Sequence, residues 1–221
     1  MIGVVVWKEL RETVRDRSAL SSGLSVLLLL ALLNVASLRH AAINVGHFIF
    51  YVTPCIGLMT AFGMSGRFTR EKRERVIETL LATPLTLREL WLGKVVGLTI
   101  PSYAITLAAA LTLMYVRSCA MNSAIAIYLF LVIPALIASA VGLLGLLQYA
   151  LGMRQVQALN YAVFFTLFVL LFVTVRTLAM DGDPLAWEVL SALLIISVLL
   201  LGVAAHLVSR LDKERVVTTV D

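Results

Sequence analysis

VLSALLIISVLLLGVAAHLVS, running from Val189 to Ser209, contains no Asp, Glu, Lys or Arg. A helix needs roughly 20 apolar residues to cross a hydrocarbon core of about 30 Å, and lipid offers exposed backbone N–H and C=O groups no partner. The stretch therefore reads as a membrane-spanning helix. Five more precede it, near Ala19–Leu38, Val45–Gly66, Val95–Val116, Ala124–Gly152 and Val156–Val175, again without an acid or a base. The fourth of the six exceeds the required length, so it is expected to tilt, to kink at Pro134 or to include a partly re-entrant piece. With 61% hydrophobic and 14% charged residues over 221 positions, the chain falls well outside the range of soluble domains. The expected fold is an all-α integral membrane protein of six transmembrane helices. Short connections leave no room for a soluble domain, so residues 1–221 form one transmembrane domain.

Basic residues set the orientation. With the amino terminus in the cytoplasm, fifteen of the eighteen Lys and Arg fall on the inner side, leaving Arg39, Arg117 and Arg176 outside. Both termini are expected in the cytoplasm of a multi-pass protein of the cell (inner) membrane. The net charge of +5 then follows from topology and anionic inner-leaflet lipid, without nucleic acid. A cleaved signal peptide competes for the first 40 residues, but the charged lead-in through Arg17 is long and amphipathic rather than a short basic cluster. Cys55 falls mid-span and Cys119 at an outer edge. Those depths argue against a disulfide, and two lone cysteines lack metal-ligand spacing.

Between the second and third spans lies RFTREKRERVIETLLATPLTLREL, Arg67 to Leu90, the most charged comparable segment of the chain. Val76, Ile77, Leu80 and Leu81 recur on one helical face, while Arg70/Glu74 and Glu71/Arg75 form opposite-charge i,i+4 pairs. Pro84 disfavours helix at Thr83. Thr86-Leu87-Arg88-Glu89 is a capping box, with Leu85 and Leu90 placed as a hydrophobic staple, so a second helix starts there and runs through Trp91 and Lys94 into the third span. A loop that only stays in water needs none of these features. They suit a surface that docks on something, or a basic face resting on anionic lipid. Near the amino terminus, Trp7, Leu10 and Val14 form an apolar stripe opposite Lys8, Glu9, Arg11, Glu12 and Arg15. Residues 1–18 are expected as an interfacial helix along the inner membrane surface.

These residues resemble the permease subunits of type-2 ABC exporters. The likeness rests on Lys8-Glu9-Leu10-Arg11, on Arg73-Glu74-Arg75 through Glu78-Thr79-Leu80-Leu81-Ala82-Thr83-Pro84-Leu85-Thr86, and on Glu89-Leu90-Trp91-Leu92-Gly93-Lys94. Layout matches over the whole chain, and motif over about 30 residues. The resemblance implies that 67–90 is a cytoplasmic coupling segment pressed against separate cytosolic ATPase subunits, which bind the ATP and Mg, while this chain carries no cofactor. It also implies a second permease copy or close relative, with cargo leaving between the two. Glu71, Glu74, Arg75, Glu78 and Thr79 would meet the ATPase, with Lys8 and Glu9 as secondary contacts. Gly93-Lys94 is followed by Val95, and position 88 is Arg rather than Gly, so no phosphate-binding loop is present there. Family members often carry a re-entrant element between spans five and six, whereas only Arg176–Glu188 is available and Asp181-Gly182-Asp183-Pro184 reads as a turn. The compact length is similar to that of the haem exporter permease of cytochrome c maturation, while Ala82-Thr83-Pro84-Leu85 is closer to drug, lipid or ion exporters.

With no Asp, Glu, Lys or Arg in any span, a proton- or sodium-coupled antiporter is disfavoured. Mild polar residues suit an apolar or amphipathic cargo, and Thr99, Ser102, Tyr103, Asn160 and Tyr161 are candidates for its pathway, although interhelical hydrogen bonding is the ordinary role of each. Pro54, Pro101 and Pro134 permit kinks. Two rivals remain. Gly63-Met64-Ser65-Gly66 matches the Gly-x-Ser-Gly of rhomboid-type intramembrane serine proteases, with His206 as the base, and that reading requires Ser65 and His206 to meet. A non-transporting membrane scaffold is the other.

Overall fold

The computed structural model describes residues 2–15, 45–73, 86–151, 153–178 and 185–211. The described residues form helices, with no strand among them. In chain order they are α1 (Ile2–Arg15), α2 (Val45–Arg73), α3 (Leu87–Val116), α4 (Ser123–Ala150), α5 (Met153–Leu178) and α6 (Trp187–Ser209). Five of them, α2 to α6, are long and apolar enough to cross a membrane. The chain is an all-helical membrane protein. The expected first span, Ala19–Leu38, lies outside the described residues. The last helix stands where its sequence placed it, and α5 and α6 leave only 179–186 between them, enough for a turn.

Helix α3 begins as its sequence requires. Thr86 Oγ1 accepts the amide of Glu89, and the Glu89 carboxylate accepts the amide and hydroxyl of Thr86 at 3.0 and 2.9 Å. The helix then runs unbroken for 30 residues, about 45 Å at 1.5 Å per residue, against a hydrocarbon core of about 30 Å. Several turns must stand outside the core. Its far end closes with Ser118 N–H on the Tyr115 carbonyl and Cys119 N–H on the Met114 carbonyl, a Schellman motif. Ser118 holds the left-handed position at φ 50°, where glycine is the unstrained choice.

Each proline inside a span deprives a carbonyl of its amide, and at Pro54 and Pro134 a neighbouring helix supplies the missing donor. Pro54 in α2 leaves no intrahelical donor for the Phe50 carbonyl four residues back. The Tyr128 hydroxyl of α4 donates to that carbonyl at 2.6 Å, with its ring stacked 4.8 Å from Phe50. In α4, residues 128–132 widen into a π turn in which Ile133 N–H reaches the Tyr128 carbonyl, five residues back. Continuing that register would pair residue 134 with the Leu129 carbonyl, but Pro134 has no N–H. The Tyr103 hydroxyl of α3 donates to Leu129 instead, at 3.2 Å. The fourth span is thus one helix with an internal π turn, rather than a re-entrant element.

Helix α4 packs against each of the other four membrane-length helices and so forms the centre of the bundle. Its Gly142–Gly145 notch receives Trp91 of α3, whose Nε1 donates to the Gly142 carbonyl at 3.2 Å. A Cβ at Gly145 would stand 3.2 Å from that same nitrogen and 2.9 Å from Phe68 Cζ. Small residues here bring backbones close, the ordinary route to helix association in lipid. Helix α5 is peripheral, with Tyr161, Phe165, Val169 and Phe172 exposed along one side.

Candidate functional site

The charged segment joins the end of α2 to the start of α3. Residues 74–85 lie outside the described residues, and with them Glu74, Arg75, Glu78 and Thr79. Glu71 falls in the last turn of α2, its side chain likewise outside. What is described are the two feet of the segment, and α1 grips both.

Helix α1 turns Val5, Glu9 and Thr13 inward at 8%, 1% and 6% exposure, while Trp7 is 66% exposed. This corrects the expected arrangement in one respect: Glu9, expected on the polar side facing away from the membrane, is turned inward onto α3. The reason is on α3. Lys94 stands two turns inside the helix at 2% exposure, and its Nζ lies 3.5 Å from Glu9 Oε1. Opposite Glu9 is Gly97, where an added Cβ would come within 2.6 Å of Glu9 Cβ. The small residue lets α1 approach, and the lysine supplies the countercharge that an inward glutamate requires.

The other foot holds the same residue of α1 by its backbone. An Arg67 guanidinium nitrogen of α2 donates to the Glu9 carbonyl at 3.3 Å and to Thr13 Oγ1 at 2.8 Å, and Thr13 in turn donates to the Glu9 carbonyl at 2.7 Å. Lys94 Nζ also sits 5.2 Å above the Phe68 ring, within cation–π range. Phe68 meets Tyr149 of α4 edge-on at 5.7 Å. Four helices therefore converge on Glu9, Arg67, Phe68 and Lys94. At 3.5 Å and an effective dielectric near 20, the Glu9–Lys94 attraction is about 5 kcal/mol. Desolvation costs several kcal/mol per ion and largely cancels it, so the pair gives the contact its geometry more than its strength.

The proposed secondary docking residues separate here. Lys8 is partly exposed and pairs with Glu12 at 3.7 Å. Glu9 is enclosed and committed to α3, so it is withdrawn from the docking surface.

Of the five pathway candidates, four have described side chains. Ser102 is fully buried, with its hydroxyl on Met64 Sδ at 3.2 Å and its carbonyl accepting from Thr106 at 2.8 Å. It packs α3 on α2 rather than lining a surface. Tyr103 is occupied by the Leu129 carbonyl. The Thr99 hydroxyl oxygen is enclosed without a hydrogen-bond partner. The Asn160 side chain lies outside the described residues, and Tyr161 is 56% exposed, its ring 5.3 Å from Phe62.

The protease pair fares no better. Ser65 is 1% exposed and donates to the Phe62 carbonyl at 2.7 Å, while His206 is exposed on α6 with no hydrogen bond to Ser65. Among the described residues no group of three His, Cys, Asp or Glu is gathered as a metal site.

The sequence reading missed Arg67, Thr13, Lys94 and Gly97 as partners of one another. A signal existed: Val5, Glu9 and Thr13 repeat every four residues, and Lys94 precedes Gly97 by one turn, placing a charge beside a gap. No family model, curated protein or solved structure matches the chain.

Proposed function

We propose that this chain is the transmembrane subunit of an ATP-driven exporter, coupled through residues 67–90 to separate cytosolic ATPase subunits that bind ATP and Mg. The observation that carries the reading is the fixing of both feet of the charged segment. Arg67 and Phe68 on one side and Trp91 and Lys94 on the other are held to α1 and α4 within a few ångströms. A push delivered to 74–85 then moves the ends of α2 and α3 as one body, instead of being absorbed by a slack loop. A nucleotide-driven machine needs such a rigid receiver, because an effector shifts an equilibrium only by contacts that differ between its states.

On this reading Glu71, Glu74, Arg75, Glu78 and Thr79 face the ATPase, with Lys8 at the edge. Both termini are cytoplasmic, and two permease copies enclose a path for an apolar or amphipathic cargo such as a drug, a lipid or a haem-like molecule. Tyr161, with its exposed ring, and its neighbour Asn160 are the better pathway candidates, since Ser102 and Tyr103 are occupied in helix packing.

The test is affinity purification of the full-length chain from its native membrane, with mass spectrometry of what accompanies it. The expected result is a soluble ATPase carrying a phosphate-binding loop. It should be lost from the Glu74→Lys/Glu78→Lys variant while that variant remains folded. Retention of the ATPase by the double variant would remove the docking role, and purification without any ATPase would remove the function.

A further inference from the structure

We propose that Glu9 and Lys94 form a positioning lock that fixes α1 in one register across the feet of α2 and α3. The inference concerns this chain's own mechanics and stands apart from what docks on the charged segment.

Three observations meet at one residue. Glu9 is 1% exposed, its carboxylate faces Lys94 of α3 at 3.5 Å, and its carbonyl accepts from Arg67 of α2 at 3.3 Å. Glu9 therefore bridges the two helices that leave the membrane on either side of residues 74–85. Apolar surfaces alone leave a short helix free to slide, because one methyl group replaces another at little cost. A buried charge has only one acceptable position, and a one-turn slip would leave two uncompensated ions in the interior. Gly97 narrows the choice further, since a Cβ at that position would come within 2.6 Å of the Glu9 Cβ. Among the described side chains Val5 and Thr13 are the other buried groups of α1, and Val4 and Trp7 face out at 74% and 66% exposure. The apolar part of the α1–α3 contact sets how closely the helices pack, and the ion pair fixes which register they hold. As positioning residues, Glu9 and Lys94 act through the geometry of the three helix ends.

The experiment measures register and stability separately in the full chain in lipid nanodiscs. Spin labels are attached at Arg11→Cys and Arg88→Cys, both exposed, in a Cys55→Ala/Cys119→Ala background, and the α1–α3 distance distribution is read by pulsed electron resonance. The parent should give one narrow distribution. Glu9→Leu/Lys94→Met, which replaces the pair by apolar groups of similar size, should keep the parent melting temperature but lose the single narrow peak. The exchanged pair Glu9→Lys/Lys94→Glu should recover it. A narrow, parent-like distribution in Glu9→Leu/Lys94→Met would overturn the proposal, because packing would then suffice to set the register. Loss of folding in that variant would also overturn it, since the pair would then be a stabilising element and not a positioning one.

Discussion

The Tyr128 hydroxyl should matter to this protein mainly because residue 54 is proline. Tyr128→Phe removes one oxygen from a fully buried ring and leaves the Phe50 carbonyl, also fully buried, without the donor now 2.6 Å away. An unsatisfied buried acceptor costs about 1 to 3 kcal/mol. With alanine at position 54, the helix supplies its own amide to the Phe50 carbonyl, and the hydroxyl becomes redundant. Tyr128→Phe should therefore lose about 1 to 3 kcal/mol in the parent and less than about 0.5 kcal/mol in the Pro54→Ala background. The resulting coupling of about 0.5 to 3 kcal/mol is a factor of roughly 2 to 160 in the folding equilibrium. A double-mutant cycle measured by denaturant titration in mixed micelles reads this directly. Equal losses from Tyr128→Phe in both backgrounds would refute the idea that the tyrosine answers the proline.

Gly97→Ala places a carbon 2.6 Å from a Cβ anchored to the α1 backbone, so α1 must shift by about 1 Å to reach a normal contact of 3.5–4.0 Å. Overpacking of about 1 to 3 kcal/mol exceeds the roughly 1 kcal/mol gained in helix propensity. Thermal melting should fall, whereas Gly66→Ala and Gly202→Ala, with nothing within 4 Å, should hold or raise it. Thr86→Ala should cost about 1 kcal/mol and show as faster amide exchange in the first turn of α3, leaving the middle of that helix unchanged. Ser118→Gly should gain about 1 kcal/mol by relieving a left-handed serine, visible as a higher denaturation midpoint with unchanged slope. If the chain is the proposed exporter subunit, Ser65→Ala should leave ATP-dependent transport by the assembled complex intact in reconstituted vesicles, and its abolition would reopen the nucleophile reading.

Five membrane-length helices and the capped start of α3 were legible because each depends on local order. An uncharged run such as Val189–Ser209 declares itself by length, and Thr86-x-x-Glu89 by two side chains closing on neighbouring amides. The clasp around Glu9 was not legible, since it joins positions 58 and 85 residues apart along the chain (67 − 9 and 94 − 9) whose separate patterns look ordinary. Reading α1 as a free amphipathic helix put Glu9 on the polar side with Lys8 and Arg11. The countercharge on α3 instead drew a glutamate inward. Tyr103 was misassigned for a related reason: a tyrosine within a span looks like a pathway group until the carbonyl stranded by Pro134 is found beneath its hydroxyl.

Pro101 gives the peptide oxygen of Gly97 no amide to pair with, so the ladder of α3 is thinnest at the turn on which Glu9 rests. Helix α1 lies over that weak turn as a splint lies over a fracture. The joint is braced from outside rather than strengthened within, and with the splint lifted the start of α3 would be held chiefly by Trp91 in its notch on α4.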